Sequence, residues 1–254
     1  MSKKRTYGRY LLLLGVSLVI LQVSPVYASL IAYYPFEGNA NDLSGNNYNG
    51  TISGATLSSG YSGQGYLFNG VNNSINIPVN INPSNYPQLT MGAWVMANAT
   101  NPIRQIISHD NGGYDRSLGI DSRGGGTGWS AFSGSADVLG WQAVSPDAWT
   151  FIAVTYDQSL SNVSLYVNGN IYTESGTLGS GWEYALIGAN PSYGEFFSGN
   201  IDEVFIFNEA LSQGQLDLIR RNGLNQGVVP EPTTLLLLGS GLLGLAGLRR
   251  RKIA

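Results

Sequence analysis

Residues 148–172 read AWTFIAVTYDQSLSNVSLYVNGNIY, and this stretch decides the fold class. From 150 to 157, alternate residues would face opposite sides of a β-strand, with Phe151 on one side and Ile152 on the other. A second alternating run leads to Asn168-Gly169, after which a third run returns. Asn-Gly between β-rich runs is a strong hairpin signal, because a type I′ turn needs positive φ at both central residues. The stretch therefore predicts consecutive antiparallel strands.

Short runs of the same kind continue on both sides of this stretch, separated by Gly, Asn and Ser. Further strands are predicted near residues 30–36, 66–69, 74–77, 90–96, 104–108, 117–121, 129–133, 184–188 and 200–207. Short strands at regular spacing favour an antiparallel all-β sandwich. One short helix is predicted with Ser212 as its N-cap, Leu216 and Ile219 on one face, and Gly223 at its end.

Three more segments add a recognisable pattern. Residues 33–52, YYPFEGNANDLSGNNYNGTI, open the domain; residues 93–99, AWVMANA, lie in its middle; and residues 196–216, FFSGNIDEVFIFNEALSQGQL, close it. With 148–172, they resemble the laminin-G-like, concanavalin A-like jelly roll of secreted bacterial proteins across nearly all of residues 30–222. The resemblance implies two packed antiparallel sheets of six or seven strands, with the first and last strands as neighbours.

The N-terminus has the layout of a secretory signal peptide. A basic region ends at Arg9, residues 11–23 form an apolar run, and Val26-Tyr27-Ala28 is a small-x-small cleavage site. We expect export by the Sec machinery and cleavage between Ala28 and Ser29. A short membrane helix is the alternative, but the run is too short for one.

The C-terminus, residues 230–252, reads PEPTTLLLLGSGLLGLAGLRRRK. Its apolar part, 233–248, would span about 24 Å as a helix, which is short for a transmembrane segment. The basic block after it favours a cytoplasmic tail, so a plain tail anchor is one interpretation. Pro230-Glu231-Pro232 followed by such a segment resembles the PEP-CTERM sorting signal of Gram-negative bacteria. That resemblance implies cleavage by an exosortase, transient anchoring in the inner membrane, and a producer of exopolysaccharide.

These ends divide the chain into a signal peptide (1–28), a sandwich domain (29–223), a linker (224–229) and a sorting signal (230–254). The expected destination is the cell surface or the extracellular matrix. Between 29 and 229, five arginines and fifteen acidic residues give a formal net charge of −10. So acidic a surface repels phosphate backbones, and we predict no nucleic-acid partner. Cysteine is absent, which excludes disulfides and thiolate chemistry.

A calcium site is predicted where the first and last strands would meet. Ca²⁺ takes six to eight oxygen ligands, which carboxylates, amides and backbone carbonyls provide. The candidate side chains are Glu37, Asn39, Asp42, Asn47 and, if the terminal strands are neighbours, Asp202. Calcium-binding relatives carry the ion at this kind of junction. The alternative is that the Asp and Asn residues are ordinary turn formers.

No catalytic residues are predicted. The sandwich also occurs in laminarinase-type hydrolases, whose retaining chemistry needs two carboxylates about 5 Å apart. No strand supplies that spacing here, and Asp202 and Glu203 are adjacent, so they would point to opposite faces of a strand. The single histidine, His109, is expected on a surface loop.

A glycan site is predicted from aromatic residues near loops rich in Gly, Ser and Asn. Its members would be Trp129, Trp141, Trp182 and Tyr193, with Tyr114, Asp115 and Arg116 as polar partners. The alternative is that these rings fill the bases of loops. The leading hypothesis is an exported, non-catalytic binding module, with extracellular polysaccharide as a possible partner. A structural or adhesion protein that binds matrix proteins is the second hypothesis, and a glycan-cleaving enzyme is the third.

Overall fold

A computed structural model describes residues 29–98, 103–123, 128–134 and 137–224 of the chain. Both predicted sorting segments, including Ala28 and the Pro230-Glu231-Pro232 motif, lie outside these residues. Within them, the strands are β1 (Leu30–Tyr34), β2 (Thr51–Ser53), β3 (Thr56–Ser59), β4 (Gln64–Asn69), β5 (Ser74–Ile77), β6 (Gln88–Ala97), β7 (Ile103–Ser108), β8 (Ser117–Asp121), β9 (Gly128–Gly134), β10 (Asp137–Trp141), β11 (Thr150–Asp157), β12 (Asn162–Val167), β13 (Asn170–Ser175), β14 (Ala185–Ile187) and β15 (Ser198–Phe207). Helix α1 spans Gln213–Asn222. None of the helices in the described part of the chain is long and apolar enough to cross a membrane.

The strands form two antiparallel sheets, as predicted for a jelly-roll sandwich. One sheet has eight strands, in the order β13-β12-β11-β6-β15-β4-β3, with β1 also paired to β15; the other has seven, in the order β10-β9-β8-β7-β14-β5-β2. The first and last strands are therefore neighbours. The first sheet is one strand wider than the resemblance implied, because β1 and β4 pair with different halves of β15.

The 148–172 stretch folds as its sequence predicts. Strands β11 and β12 pair with Ile152 opposite Val167, and β12 and β13 are joined by Asn168-Gly169. Both turn residues have positive φ, 47° and 104°, which an asparagine and a glycine adopt most readily. All nine further strands that the sequence predicts are present. The short strands β2, β3 and β10 were not predicted.

Alternation along β11 separates two apolar clusters. Ile152 and Val154 lie in the main core between the sheets, whereas Phe151 belongs to a second cluster on the outer side of the eight-stranded sheet. Helix α1 covers that second cluster with Leu216 and Ile219, which are buried as predicted. The helix begins at Ser212, whose hydroxyl and Gln215 form a capping box that satisfies two free N–H groups.

The prediction that Asp202 and Glu203 point to opposite faces of a strand is wrong, because β15 contains a β-bulge at this position. The register between β15 and β6 shifts between Asp202 and Phe205, and Glu203 has a φ of 53°. Because the bulge adds one residue to the strand, two successive side chains can face the same side. Asp202 accepts a hydrogen bond from the Ser62 amide and Glu203 accepts one from the Tyr33 hydroxyl, both on the outer side of the sheet.

Candidate functional site

A pocket of about 230 Å³ lies beside the seven-stranded sheet. Phe132 of β9 belongs to the same buried apolar cluster as Ala131, and the Tyr114 ring packs against it with 5.1 Å between ring centres. The loop after β7 and the loop before β15 complete the walls. The lining residues are Asp110, Gly112, Tyr114, Arg123, Phe132, Tyr193 and Glu195.

Arg123 is the centre of an ion-pair network in this pocket. Its Nε and Nη2 donate to both carboxylate oxygens of the fully buried Asp121, at 2.7–3.1 Å, and Nη2 also lies 3.3 Å from Glu195. The guanidinium carbon lies 5.2 Å from the Tyr114 ring centre and 5.4 Å from that of Phe132. The hydrogen bond to Asp121 raises the pKa of Arg123 above its usual range. The guanidinium is thus a fixed cation between aromatic rings and carboxylates.

Asn190 links the Glu195 carboxylate to that of Asp110. Its Nδ2 donates to Asp110 Oδ2 at 3.0 Å and to Glu195 Oε2 at 3.1 Å. Gln105 Nε2 adds a third donor to the pair, at 3.0 Å from Glu195. No local sequence pattern reveals this convergent pair, because Asp110 and Glu195 lie on loops 85 residues apart in the chain.

Hydrogen-bond donors occupy most of the acceptor positions of this pair. Asp110 accepts from the amides of Gly112 and Asp115 and from Asn190; Glu195 accepts from Gln105, Asn190 and Arg123. Of about four lone-pair positions on each carboxylate, roughly one stays open to a hydroxyl group.

The pocket rim is aromatic. Tyr193 is 65% exposed, and its hydroxyl lies above Gly112, where an added Cβ would come within 3.0 Å of it. Trp182 is 46% exposed and lies beside the rim. Its Nε1 donates to Ser192 Oγ at 3.2 Å, and Ser192 donates in turn to the Asp110 carbonyl at 3.0 Å. Exposed rings therefore flank the carboxylates.

The structure brings together some of the predicted glycan-site residues and separates others. Tyr114 and Tyr193 line the pocket, and Trp182 borders it. Trp129 is only 1% exposed and packs in the core, so the prediction that it rims a site is wrong. Trp141 pairs with Trp129 along the β9–β10 ladder, and its side chain lies outside the described part of the structure.

Asp115 and Arg116 do not line the pocket. Both are buried, and Arg116 donates to the carbonyls of Ile81 at 2.8 Å and Tyr86 at 2.7 Å. Its guanidinium also lies over the Tyr156 ring, and burial lowers the pKa of Arg116 to about 10. The prediction that Asp115 and Arg116 are polar partners of a glycan is therefore wrong, because both side chains are buried inside the domain.

His109 is fully buried, contrary to the prediction of a surface loop histidine. Its Nδ1 lies 3.1 Å from the carbonyl oxygen of Trp182, and its own carbonyl accepts the Trp182 amide at 2.8 Å. The loop that carries Trp182 thus covers His109. Burial lowers the pKa of His109 to about 4, so the ring is neutral at pH 7.

The residues predicted to bind calcium do not assemble into one site. Asp42 accepts three amide hydrogen bonds and one from a hydroxyl, as a turn former does, and Asn47 is exposed with a φ of 62°. Asn39 accepts from the Asn41 amide. Glu37 and Asp202 both reach the 60–64 loop, at the amides of residues 64 and 62. Among the described residues, no three acidic or histidine side chains gather closely enough to hold a metal ion.

A second pocket, of about 280 Å³, lies on the outer side of the eight-stranded sheet. Tyr33, Tyr61, Trp94 and Glu203 line it together with the C-terminal end of α1. The Tyr61 ring stacks on Trp94 with 3.5 Å between ring centres. The rings that form this wall therefore pack against each other, and only Tyr61 is largely exposed.

The sequence matches two family models. Residues 69–217 match the concanavalin A-like lectin/glucanases superfamily. The chain belongs to this superfamily. Residues 228–252 match the PEP-CTERM protein-sorting motif, which confirms the predicted sorting signal. Among curated protein sequences, none matches the chain.

Solved structures with this superfamily's sandwich resemble the chain at low sequence identity. Domain 4 of AbnA, a GH43 extracellular arabinanase from Geobacillus stearothermophilus, in complex with arabinotriose, has a TM-score of 0.60 at 22% identity, covering 75% of this chain and 97% of that one. The binding domain of Paraclostridial Mosquitocidal Protein 1 has a TM-score of 0.58 at 17% identity, covering 75% and 51%. The binding domain of Botulinum Neurotoxin DC in complex with SialylT has a TM-score of 0.58 at 16% identity, covering 78% and 52%. The chain thus spans about half the length of the two toxin structures, and the likeness shows the shared fold.

Proposed function

We propose that this protein is an exported, non-catalytic glycan-binding module of the cell surface or the exopolysaccharide matrix. The observation that carries the proposal is the pocket on the seven-stranded sheet. It combines exposed rings, a fixed guanidinium and two carboxylates with open lone pairs. Sites for small molecules are generally concave, with apolar walls and a few placed polar groups.

The pocket chemistry matches the two kinds of surface that a sugar presents. The C–H face of a sugar ring is apolar and can stack on Tyr193 or Tyr114. Its hydroxyl groups can donate to Asp110 and Glu195, where a hydrogen bond to an ionised acceptor is stronger than one between neutral groups. The ion pairs and the bridging Asn190 hold these acceptors in place before a ligand arrives, which limits the entropy lost on binding.

The comparisons support a binding role. One similar structure was solved with arabinotriose, and the two toxin structures are named as binding domains. Since one sandwich hosts many kinds of site, the pocket of this chain carries the proposal.

The sorting motif supports an exported location. A PEP-CTERM signal goes with processing by an exosortase, and the predicted signal peptide supplies entry to the Sec machinery. We propose that the sandwich is held transiently at the inner membrane by the C-terminal segment and is then released to the cell surface or matrix.

A structural or adhesion role in the matrix is the second candidate, and one observation favours it. The edge strands β2 and β3 carry exposed apolar side chains, with Ile52 41% and Leu57 42% exposed. Exposed edge strands can pair with another chain. This candidate predicts protein partners and no role for the pocket.

Glycan-array binding of the purified full-length chain tests the proposal. We expect the wild type to bind, and Tyr193→Ala to bind about two- to tenfold more weakly, because a stacked ring contributes on the order of 0.5–1.5 kcal/mol. The control is Tyr172→Ala, which removes a partly exposed tyrosine from β13 on the other sheet. Equal loss in both variants, or no binding by the wild type, would contradict the proposal. Recovery of shortened glycans would instead favour the hypothesis of a glycan-cleaving enzyme.

A structural calcium stays a separate proposal, restricted to the 60–64 loop. Glu37 accepts the Gln64 amide and Asp202 accepts the Ser62 amide, so each carboxylate borders this loop, and backbone carbonyls and water would have to complete the ligand set of an ion. Repeating the array with calcium and with EDTA shows whether a divalent ion supports binding. Equal binding in both conditions would remove calcium from the proposed function.

A further inference from the structure

This inference rests on the proposed glycan binding and defines its ligand class. We infer that the pocket on the seven-stranded sheet selects uncharged glycans and discriminates against sugars that carry carboxylate, sulfate or phosphate groups.

The charges at the pocket are predominantly negative. Asp110 and Glu195 line it, and Asp121 lies directly beneath Arg123. Among the described lining residues, Arg123 is the one basic side chain. The formal charges of these three carboxylates and the one guanidinium sum to −2 where a ligand would lie, and the Asp115 carboxyl group is a further acidic group next to Asp110.

Arg123 is poorly placed to attract an anion. It already makes a two-oxygen contact with Asp121, which has no exposed surface, and a second ion pair with Glu195. An acidic sugar would have to compete with Asp121 and Glu195 for the guanidinium. The pair with Asp121 is hard to displace, because separating it would leave a buried carboxylate without a partner. The rings of Tyr114 and Phe132 lie close to the guanidinium as well.

The positions on the pocket carboxylates that remain open are acceptors, so they require a ligand that donates hydrogen bonds. The open lone pairs of Asp110 and Glu195 accept hydrogen and have nothing to offer an anionic oxygen. Sugar hydroxyl groups are donors, so an uncharged glycan satisfies these positions. A carboxylate or sulfate in the same place would face the pair across a few ångströms, which lowers affinity by about tenfold or more at the effective dielectric of a protein surface.

Matched glycan pairs test this inference. Each pair has the same sugar backbone, and one member carries an added uronic or sulfate group. We expect the full-length chain to bind the uncharged member at least about tenfold more tightly at low salt. Because partly exposed charges are screened, the ratio should fall toward one as NaCl rises to about 1 M.

Glu195→Gln removes one charge and keeps a carbonyl acceptor, so it should reduce the ratio several-fold. Glu174→Gln is the control, since it makes the same change in net charge on β13 of the other sheet. The salt dependence of the wild-type ratio provides an independent readout if Glu195→Gln does not fold.

The possible outcomes separate the two proposals. Equal binding of both members, a preference for the acidic member, or the same reduction in Glu174→Gln would overturn the inference and leave glycan binding intact. Absence of binding to either member of every pair would overturn the proposed function and the inference together.

Discussion

At the residue scale, Arg123 links the stability of the pocket to its chemistry. Its guanidinium compensates the charge of Asp121, which is fully buried, while its exposed side forms part of the pocket. Removing one partner of such a pair leaves the other charge buried without compensation, which costs more than the pair itself contributes.

We therefore expect Arg123→Ala to lower the free energy of unfolding by about 2 kcal/mol, a figure reduced from that of a fully buried pair because Arg123 is partly exposed. Arg123→Lys should lose less, although lysine cannot make the two-oxygen contact. Urea unfolding at pH 7 measures both. Arg221→Ala, a change at an exposed arginine of α1, is the control. Equal effects of the Arg123→Ala and Arg221→Ala changes would show that the pair with Asp121 adds nothing.

His109 gives the second prediction at this scale. Burial lowers its pKa to about 4 from an ordinary value near 6.5, so the unfolded chain takes up a proton before the folded chain does. The stability that His109 contributes is complete above pH 6.5 and is lost as the pH falls through about 4. The loss amounts to about 3 kcal/mol. In His109→Asn, which can still donate to the Trp182 carbonyl, the decrease between pH 7 and pH 4 should be smaller. Urea midpoints at both pH values measure this, and identical decreases in both proteins would contradict it.

At the element scale, β15 carries the buried Asp202 beside its bulge, and the pKa shift of Asp202 affects stability in the opposite direction to that of His109. Burial raises its pKa to about 7 from 3.8. A raised carboxyl pKa stabilises the fold fully below pH 3.8, and this contribution is lost as the pH rises through about 7. Asp202→Asn should therefore be less sensitive than the wild type to a rise from pH 5 to pH 8, by about 2 kcal/mol. Thermal unfolding at the two pH values measures the difference.

The same variant tests the calcium proposal. A cation bound at the 60–64 loop would favour the ionised form of Asp202, so calcium should raise the Tm of the wild type at pH 8 and leave Asp202→Asn unchanged. If calcium shifts the Tm of neither protein, or shifts both equally, Asp202 does not bind it.

The contributions of His109 and Asp202 to folding stability change in opposite directions with pH. Each contribution is therefore measured as the difference between the variant and the wild type at the same pH.

Most strands and the aromatic residues of the pocket could be predicted from sequence, but the convergence of its carboxylates could not. The Asn168-Gly169 hairpin depends on residues next to each other, and its turn formed as expected. The pocket joins Asp110 and Glu195 through Asn190, and His109 is buried by the distant loop of Trp182. A one-residue bulge places Glu203 on the same side of β15 as Asp202, although simple alternation along a strand predicts opposite sides. Contacts between remote loops and a shift of register leave no local pattern in the sequence.

At the scale of the whole molecule, charge is divided along the chain. Eight of the thirteen basic residues lie before residue 10 or after residue 248, whereas the sandwich region is strongly acidic. Basic residues at the ends suit retention on the cytoplasmic side of a membrane, and an acidic domain suits solubility outside it. This division agrees with a cargo domain between two sorting segments.

The last prediction concerns that division. If an exosortase reads the motif, Glu231→Ala should block processing in a host that carries the enzyme, and the chain should accumulate in the membrane fraction at the higher mass. Its glycan binding after detergent extraction should equal that of the wild type, because the motif lies outside the 29–224 region that holds the pocket. Glu183→Ala, at an exposed glutamate of the sandwich, is the matched control and should be processed normally. Mass spectrometry of membrane and secreted fractions distinguishes the forms. Release of Glu231→Ala at the wild-type mass would mean that the acidic residue of the motif is not what the processing enzyme reads.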